Sequence, residues 1–143
     1  MCLKVDQKLT KKLIEDLSSG GSDGVRFFKI FKLEDGKTLR PLFQHHIEYK
    51  NELEQDGWLK ATIPPFYAVG VGHVSVGYVG VGAYHAYCKK EKSQSEVRWV
   101  SSVYQNAVVR EVIVPLDSIV GCDADGEVAF KRMRIVMKIG ETI

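Results

Sequence analysis

Cysteine is scarce in this chain, and what there is does not form a pattern. Cys2, Cys88 and Cys122 are odd in number and far apart, and no CxxC occurs. That excludes a disulfide framework, a zinc ribbon and a thioredoxin motif, and it fits a reducing compartment. The start MCLKVDQKLTKKL is charged and no apolar run follows it, so the expectation is no secretory leader and a cytoplasmic protein. A surplus of one charge is also lacking. The net charge is +2 and the pI about 8.4, far from the dense Lys/Arg excess of a dedicated nucleic-acid binder. The phosphate-binding motifs are missing too. No GK[ST] is present, and Ser75 stands where a dinucleotide fingerprint opened by Gly70 and Gly72 needs its third glycine.

The longest absence is of charge. From Ala61 to Cys88 there is no Asp, Glu, Lys or Arg, a length that could cross a bilayer as a helix. Pro64, Pro65 and five glycines between Gly70 and Gly82 interrupt it, and each glycine costs a helix ~1 kcal/mol relative to alanine. No membrane span is expected. The tract repeats VGVGH, VSVGY and VGVGA, and an odd period turns successive equivalents to opposite faces of a strand. Residues 69–82 therefore read as an insertion, a flexible or weakly paired β-excursion. Its Val71, His73, Val76, Tyr78 and Val81 offer a contact surface to a protein partner or a second copy.

What the chain does have is an ordinary globular balance. Its 143 residues are 45% hydrophobic and 27% charged, enough for one domain with its own core. Val5, Leu9, Leu13, Ile14 and Leu17 recur at helical spacing, with Asp6 as a cap and Gly20-Gly21 as a stop, so residues 1–24 read as a helix and linker. In VRFFKIFKLEDGKTLRPLF, Phe27, Lys29, Phe31 and Leu33 alternate with Arg26, Phe28, Ile30 and Lys32, and Asp35-Gly36 predicts a hairpin with Pro41 near a strand end. Asp56-Gly57 predicts a turn into a short strand from Trp58 to Ile63. Ser93 and Glu96 have capping-box spacing ahead of Val97, Val100, Val103 and Tyr104, which predicts a second helix. AVVREVIVPLDSIVGC and EVAFKRMRIVMKI read as strands around a turn at Asp125-Gly126. In the last strand Met133, Ile135, Met137 and Ile139 share one face, and Phe130, Arg132, Arg134 and Lys138 the other. The sum is an α+β fold, mainly an antiparallel sheet of about five or six strands with two helices.

Chemistry-bearing residues are few. Tyr84, His85 and Cys88 are candidates for catalysis, although a strand would point His85 and Cys88 to opposite faces, against a nucleophile–base pair. His45, His46 and Glu48 lack a second half of a metal site. Asp123-Ala124-Asp125-Gly126-Glu127 lacks the ligands that complete a calcium loop and reads as a turn. Neither a metal nor a cofactor is expected. Phe130, Arg132 and Arg134 offer a basic stripe to nucleic acid, which a solvated sheet face explains as well.

Three segments carry a resemblance: Gly57-Trp58 with Ala61, then Gly82-Ala83-Tyr84-His85-Ala86-Tyr87, then VVREVIVPLDSIVG leading to AFKRMRI. Together they resemble a loose group of small uncharacterised bacterial and phage proteins. The resemblance spans about residues 26–139, departs from the group at Val69–Gly82, and implies an α+β domain without implying an activity. The leading functional expectation is a non-enzymatic protein-interaction module. The alternative is an enzyme, a transferase for a nucleotide-type ligand with its site near Tyr84–Cys88. A weak nucleic-acid binder comes third.

Overall fold

The computed structural model describes residues 3–18, 24–43, 47–62, 67–69, 76–79, 83–100 and 105–143. Eleven strands and three helices are present among them. In order they are β1 (Leu3–Asp6), α1 (Gln7–Ser18), β2 (Val25–Glu34), β3 (Thr38–Pro41), α2 (Tyr49–Glu52), β4 (Leu59–Lys60), β5 (Tyr67–Val69) and β6 (Val76–Val79). β7 (Tyr84–Tyr87), α3 (Lys90–Val100), β8 (Ala107–Val114), β9 (Ile119–Cys122), β10 (Glu127–Phe130) and β11 (Arg132–Ile135) complete them.

The α+β class holds, and the strand count is larger than expected. Eight strands form one sheet, with the path β4-β11-β8-β2-β7-β10-β9 and β3 added beside β2, and every ladder is antiparallel. Three more form a small sheet in the order β1-β6-β5. Periodicity undercounts strands of two to four residues because so short a run shows hardly one full alternation. The described residues of the glycine-valine tract lie in strands: β6 pairs with β5 on one side and with β1 on the other, Leu3 opposite Val79 and Asp6 opposite Val76. Val5 thus belongs to a strand and not to the helical stripe assigned to it. Asp6 does cap α1, its Oδ1 accepting from the Leu9 amide at 3.1 Å. The proposed glycine stop lies outside the described residues, as do Ile63, Val103 and Tyr104.

The main sheet curls back on itself. Glu127 to Ile135 is one run broken at Lys131, whose first half borders β7 and β9 and whose second half borders β8 and β4. The path β8–β2–β7 is thereby brought round onto a single bent strand. Inside the curl Phe27, Phe31, Tyr84, Val112, Val114, Val128, Phe130 and Met133 are all at most 2% exposed. Phe27 and Phe130 stack at 6.0 Å between ring centroids, and Tyr84 and Phe130 meet at the same distance. The break at Lys131 shifts the side-chain alternation by one. Phe130 therefore points inward together with Met133 and Ile135, and it does not share a face with Arg132 and Arg134. Met137 and Ile139, expected to share a face with Met133 and Ile135, lie past the end of β11 and are exposed.

On the outer face Ile30, Leu42 and Val100 form a second cluster under α3. Leu3 and Val5 pack on Ala83 and Ala129, and Gly121 makes room for them, since a Cβ there would meet Val5 Cγ1 at 2.5 Å. Ser93 lies within α3, its hydroxyl donating to the Lys90 carbonyl at 2.7 Å. It is not the cap its spacing suggested. Asp35-Gly36 does turn β2 into β3, both residues with positive φ. Asp123 Oδ1 accepts from the Asp125 and Glu127 amides at 2.9 Å each, so the acidic loop is a hairpin turn.

The C-terminal segment is tied to β8 by a half-buried bidentate pair. Arg110 Nε and Nη2 donate to the two Glu141 oxygens at 2.9 and 2.6 Å, and the Lys138 amide donates to Oε1 at 2.8 Å. These hydrogen bonds, Arg110 first, hold the Glu141 carboxyl at about 2. A carboxylate depressed on folding adds stability above its unfolded value of about 4.5, and that stability is lost as pH falls toward 2. Two outcomes are expected. Urea titrations of Glu141→Gln should show a loss of about 1.5–3 kcal/mol at pH 7, narrowing between pH 5 and pH 2 as the parent protein loses the same interaction. Gly121→Ala should cost about 1–3 kcal/mol through overpacking, and Val5→Ala in the same chain should recover most of it.

Candidate functional site

A strand edge carries one row of hydrogen-bonding groups, and the β2 edge that faces away from β8 is shared between two neighbours. β7 meets it only at Phe28, opposite Tyr87, and β3 takes it from Phe31 to Glu34. Between those contacts the sheet opens into a seam. Lys29 reaches across it, Nζ donating to the His85 carbonyl at 2.8 Å. The residue is only 7% exposed, and no carboxylate lies within ion-pairing distance of it among the described residues.

Around the seam is a hollow of about 40 Å³ lined by Lys29, Ile30, Pro41, Leu42, Phe43, His85, Tyr87 and Glu127. Its room corresponds to roughly three water positions, at ~10–15 Å³ each. β7 and β10 pair with Tyr87 opposite Glu127 and His85 opposite Ala129, so His85 and Glu127 are diagonal neighbours whose long side chains can meet. His85 Nδ1 lies 3.7 Å from Glu127 Oε1. That is close enough for charge coupling and too long for a hydrogen bond. Both ring nitrogens of His85 are shielded from solvent and have no hydrogen-bond partner among the described residues.

The electrostatics follow from burial. Desolvation pulls the Lys29 amine from 10.5 down to about 8, against the opposing pull of Glu127 and then Glu52. The Phe31 ring, 5.7 Å from Nζ, contributes a weak cation–π contact to the charged form. Burial, with Glu127 next, raises the Tyr87 hydroxyl well above its usual range. The hollow therefore holds an amine that can be neutral near physiological pH, an imidazole and a carboxylate.

The other expected site residues are placed differently. Tyr84 is fully buried and belongs to the core, its hydroxyl donating to Glu52 Oε1 at 2.8 Å, while Glu52 Oε2 accepts from the Thr62 amide at 2.9 Å. Glu52 is a buried acid tying α2 to β7, and its position gave no sequence signal. Burial pushes the Cys88 thiol up to about 11, which is the opposite of an activated nucleophile. His85 thus has neither Tyr84 nor Cys88 as a working partner.

The basic stripe is also dismantled. Phe130 is core, which removes the expected stacking residue. Arg132 pairs with Glu54 at 3.2 Å and Asp56 at 3.5 Å, and both Arg132 and Arg134 lie over the Trp58 ring, at 5.6 and 4.5 Å. Val76 and Tyr78 lie in β6, opposite Asp6 and Lys4, while Val71, His73, Val81, His45 and His46 are outside the described residues. Among the described residues no three His, Cys, Asp or Glu side chains gather as metal ligands would, and no helix is long and apolar enough to cross a membrane.

Lys29 and Glu127 were missed by sequence reasoning. One signal for Lys29 was legible: a lysine in alternation with Phe27, Phe31 and Leu33, on what had to be the buried face. Glu127 carried none, because it followed a turn and looked solvated. Comparison with known protein families, with characterised proteins and with solved structures finds no match for this chain.

A buried lysine with one acceptor costs stability. Below pH 8 both folded and unfolded chains are protonated and the folded state bears the full penalty. Between about 8 and 10.5 the folded chain sheds its proton first, so stability rises with pH. Lys29→Met should therefore raise unfolding stability at pH 7 by about 1–3 kcal/mol, an advantage that shrinks as pH climbs toward 10.5. Chemical denaturation of both proteins at pH 7, 9 and 10.5 measures it, and a destabilised Lys29→Met at pH 7 would show that the lysine is structural.

Proposed function

We propose that the protein binds a small, neutral polar compound in the hollow between β2, β7 and β10 and acts on it by proton transfer, with His85 as the group that carries the proton. The observation behind this is the His85 ring, nearly buried, its two nitrogens without hydrogen-bond partners among the described residues, in the hollow that Glu127 and Lys29 also line. A buried polar group left open in a cleft costs free energy unless something completes it, and ionisable clusters in clefts are where acid–base chemistry concentrates. Lys29 and Glu127 offset one another, so the hollow has no use for a net charge. Its four apolar wall residues give a ligand contact area, and its ionisable groups give it orientation. The enclosed room suits a compound of a few heavy atoms. A nucleotide would need a pocket of the ~300–1,000 Å³ class.

A second reading, association with another protein or a second copy, is favoured by β5. That strand pairs with β6 on one side and with no described strand on the other. Such an edge can accept an added strand from a partner. Ala68→Pro would spoil β5 as an edge for strand addition. If sedimentation finds the parent and this variant equally monomeric, the association reading falls.

The first reading is tested by following the His85 imidazole signals by NMR while a panel of small amides, alcohols and aldehydes is added. At least one compound should shift His85, Ile30 and Tyr87 together and saturably, and His85→Phe should abolish the shifts at the other two. If no compound moves these signals at millimolar concentration, the hollow is not a ligand site.

A further inference from the structure

Taking the hollow as a ligand site, we infer that Lys29 is its nucleophile and that the ligand class is a short aldehyde or ketone, captured reversibly as an imine on Nζ. Three geometric facts support this. Lys29 lines the hollow, and its Nζ makes one hydrogen bond, as donor to the His85 carbonyl. A neutral amine there keeps a lone pair and a second N–H uncommitted, whereas an ammonium would have two N–H groups left without acceptors among the described residues. Ile30, Pro41, Leu42 and Phe43 of the same lining give a bound compound an apolar contact surface.

The charge balance points to the same class. An anionic ligand would face the Glu127 carboxylate and a cationic one would face Lys29. A carbonyl compound is neutral, and its oxygen and carbon can face a donor and a nucleophile at once. Lysines desolvated in apolar pockets are the residues that form Schiff bases, because burial supplies the unprotonated amine.

The step closes without another reactant. The Nζ lone pair adds to the carbonyl carbon, and one Nζ proton passes by way of His85 or Glu127 to the former carbonyl oxygen, giving a carbinolamine. The second Nζ proton follows the same route to the hydroxyl, which leaves as water while the nitrogen lone pair closes the C=N bond. Carbonyl plus amine become imine plus water. His85, with Glu127 3.7 Å away, can both accept and return the proton. Tyr87, on the same wall, stays protonated throughout, because burial raises its hydroxyl still further above the physiological range. Glu52 is committed to Tyr84 and Thr62 and takes no part.

The probe is acetaldehyde with sodium cyanoborohydride at pH 7, stopped at low conversion, with the alkylated lysines located by peptide mass spectrometry. An amine at about 8 has a far larger neutral fraction at pH 7 than an exposed one near 10.4. Lys29 should be labelled on the order of tenfold faster than the exposed Lys50, Lys89 and Lys131, with a rate that saturates in acetaldehyde and falls in His85→Phe. Lys29→Met provides the blank, and its mapping should show only the slow surface labels. Labelling of Lys29 no faster than Lys131, or without saturation, overturns the inference. Acetaldehyde or acetamide shifting the His85 signals with no Lys29 adduct sinks the nucleophile and leaves the ligand site standing. Neither shift nor adduct sinks both.

Discussion

The edge of β2 that faces away from β8 cannot serve β7 and β3 at the same residues, and the structure is organised around how that conflict is resolved. β8 pairs with the opposite edge from Val25 to Lys32 without interruption, so β2 itself stays extended and the strain of division falls on the other side. β7 keeps a single pair at Phe28 and then turns toward β10, while β3 takes the last four residues. The gap between them must be closed by side chains. Lys29 closes its polar part with a bond to the His85 carbonyl, and Ile30, Leu42 and Phe43 close the apolar part. A hollow in this position is thus a consequence of topology, and an amine at its floor a consequence of the need for a donor.

The same division explains why three ionisable residues from distant parts of the chain meet. β7 drifts from β2 because it is recruited by β10, and the full four-residue β7–β10 ladder sets Glu127 diagonally across from His85. The break at Lys131 lets one chain run do this on one side and pair with β8 on the other. The inner face of that bent run, Val128, Phe130, Met133 and Ile135, anchors the aromatic core. The outer face at its start delivers the carboxylate. On β7 and β10 core and site are therefore built from alternate residues, whereas on β2 Lys29 shares its face with Phe27 and Phe31.

Hydrogen bonding separates the two places where charge is drawn out of water. Arg110 and Glu141 are satisfied by a bidentate contact and an added backbone donor, so the carboxylate is more acidic than in water and the pair contributes to stability at neutral pH. Lys29 has one acceptor and no ion-pair partner among the described residues, and burial leaves its amine less basic and the residue a cost to stability. Local sequence–structure conflicts that persist in a folded protein tend to mark functional positions. Tyr84 and Glu52 show the contrast. They are just as buried, but their hydroxyl–carboxylate bond is complete, and nothing about them calls for a ligand.

The residues themselves determined the local structure. Asp35-Gly36 and Asp125-Gly126 encode turns because only small or flexible residues adopt positive φ cheaply, Asp6 encodes a cap because its carboxylate reaches a free amide, and alternation in Phe27 to Leu33 encodes a strand with a buried face. Where local rules failed, the chain met a neighbour that no local pattern reports. Val5 left the helical stripe to pair with β6 and pack on Gly121. Ser93 lost its capping role because α3 begins at Lys90. Phe130 changed faces because one residue, Lys131, breaks the alternation between two ladders. A period of two states which residues share a face, but it does not state which strand lies beside them or in what register. The meeting of Lys29, His85 and Glu127 depends on both, and only the packing of the curled sheet decided them.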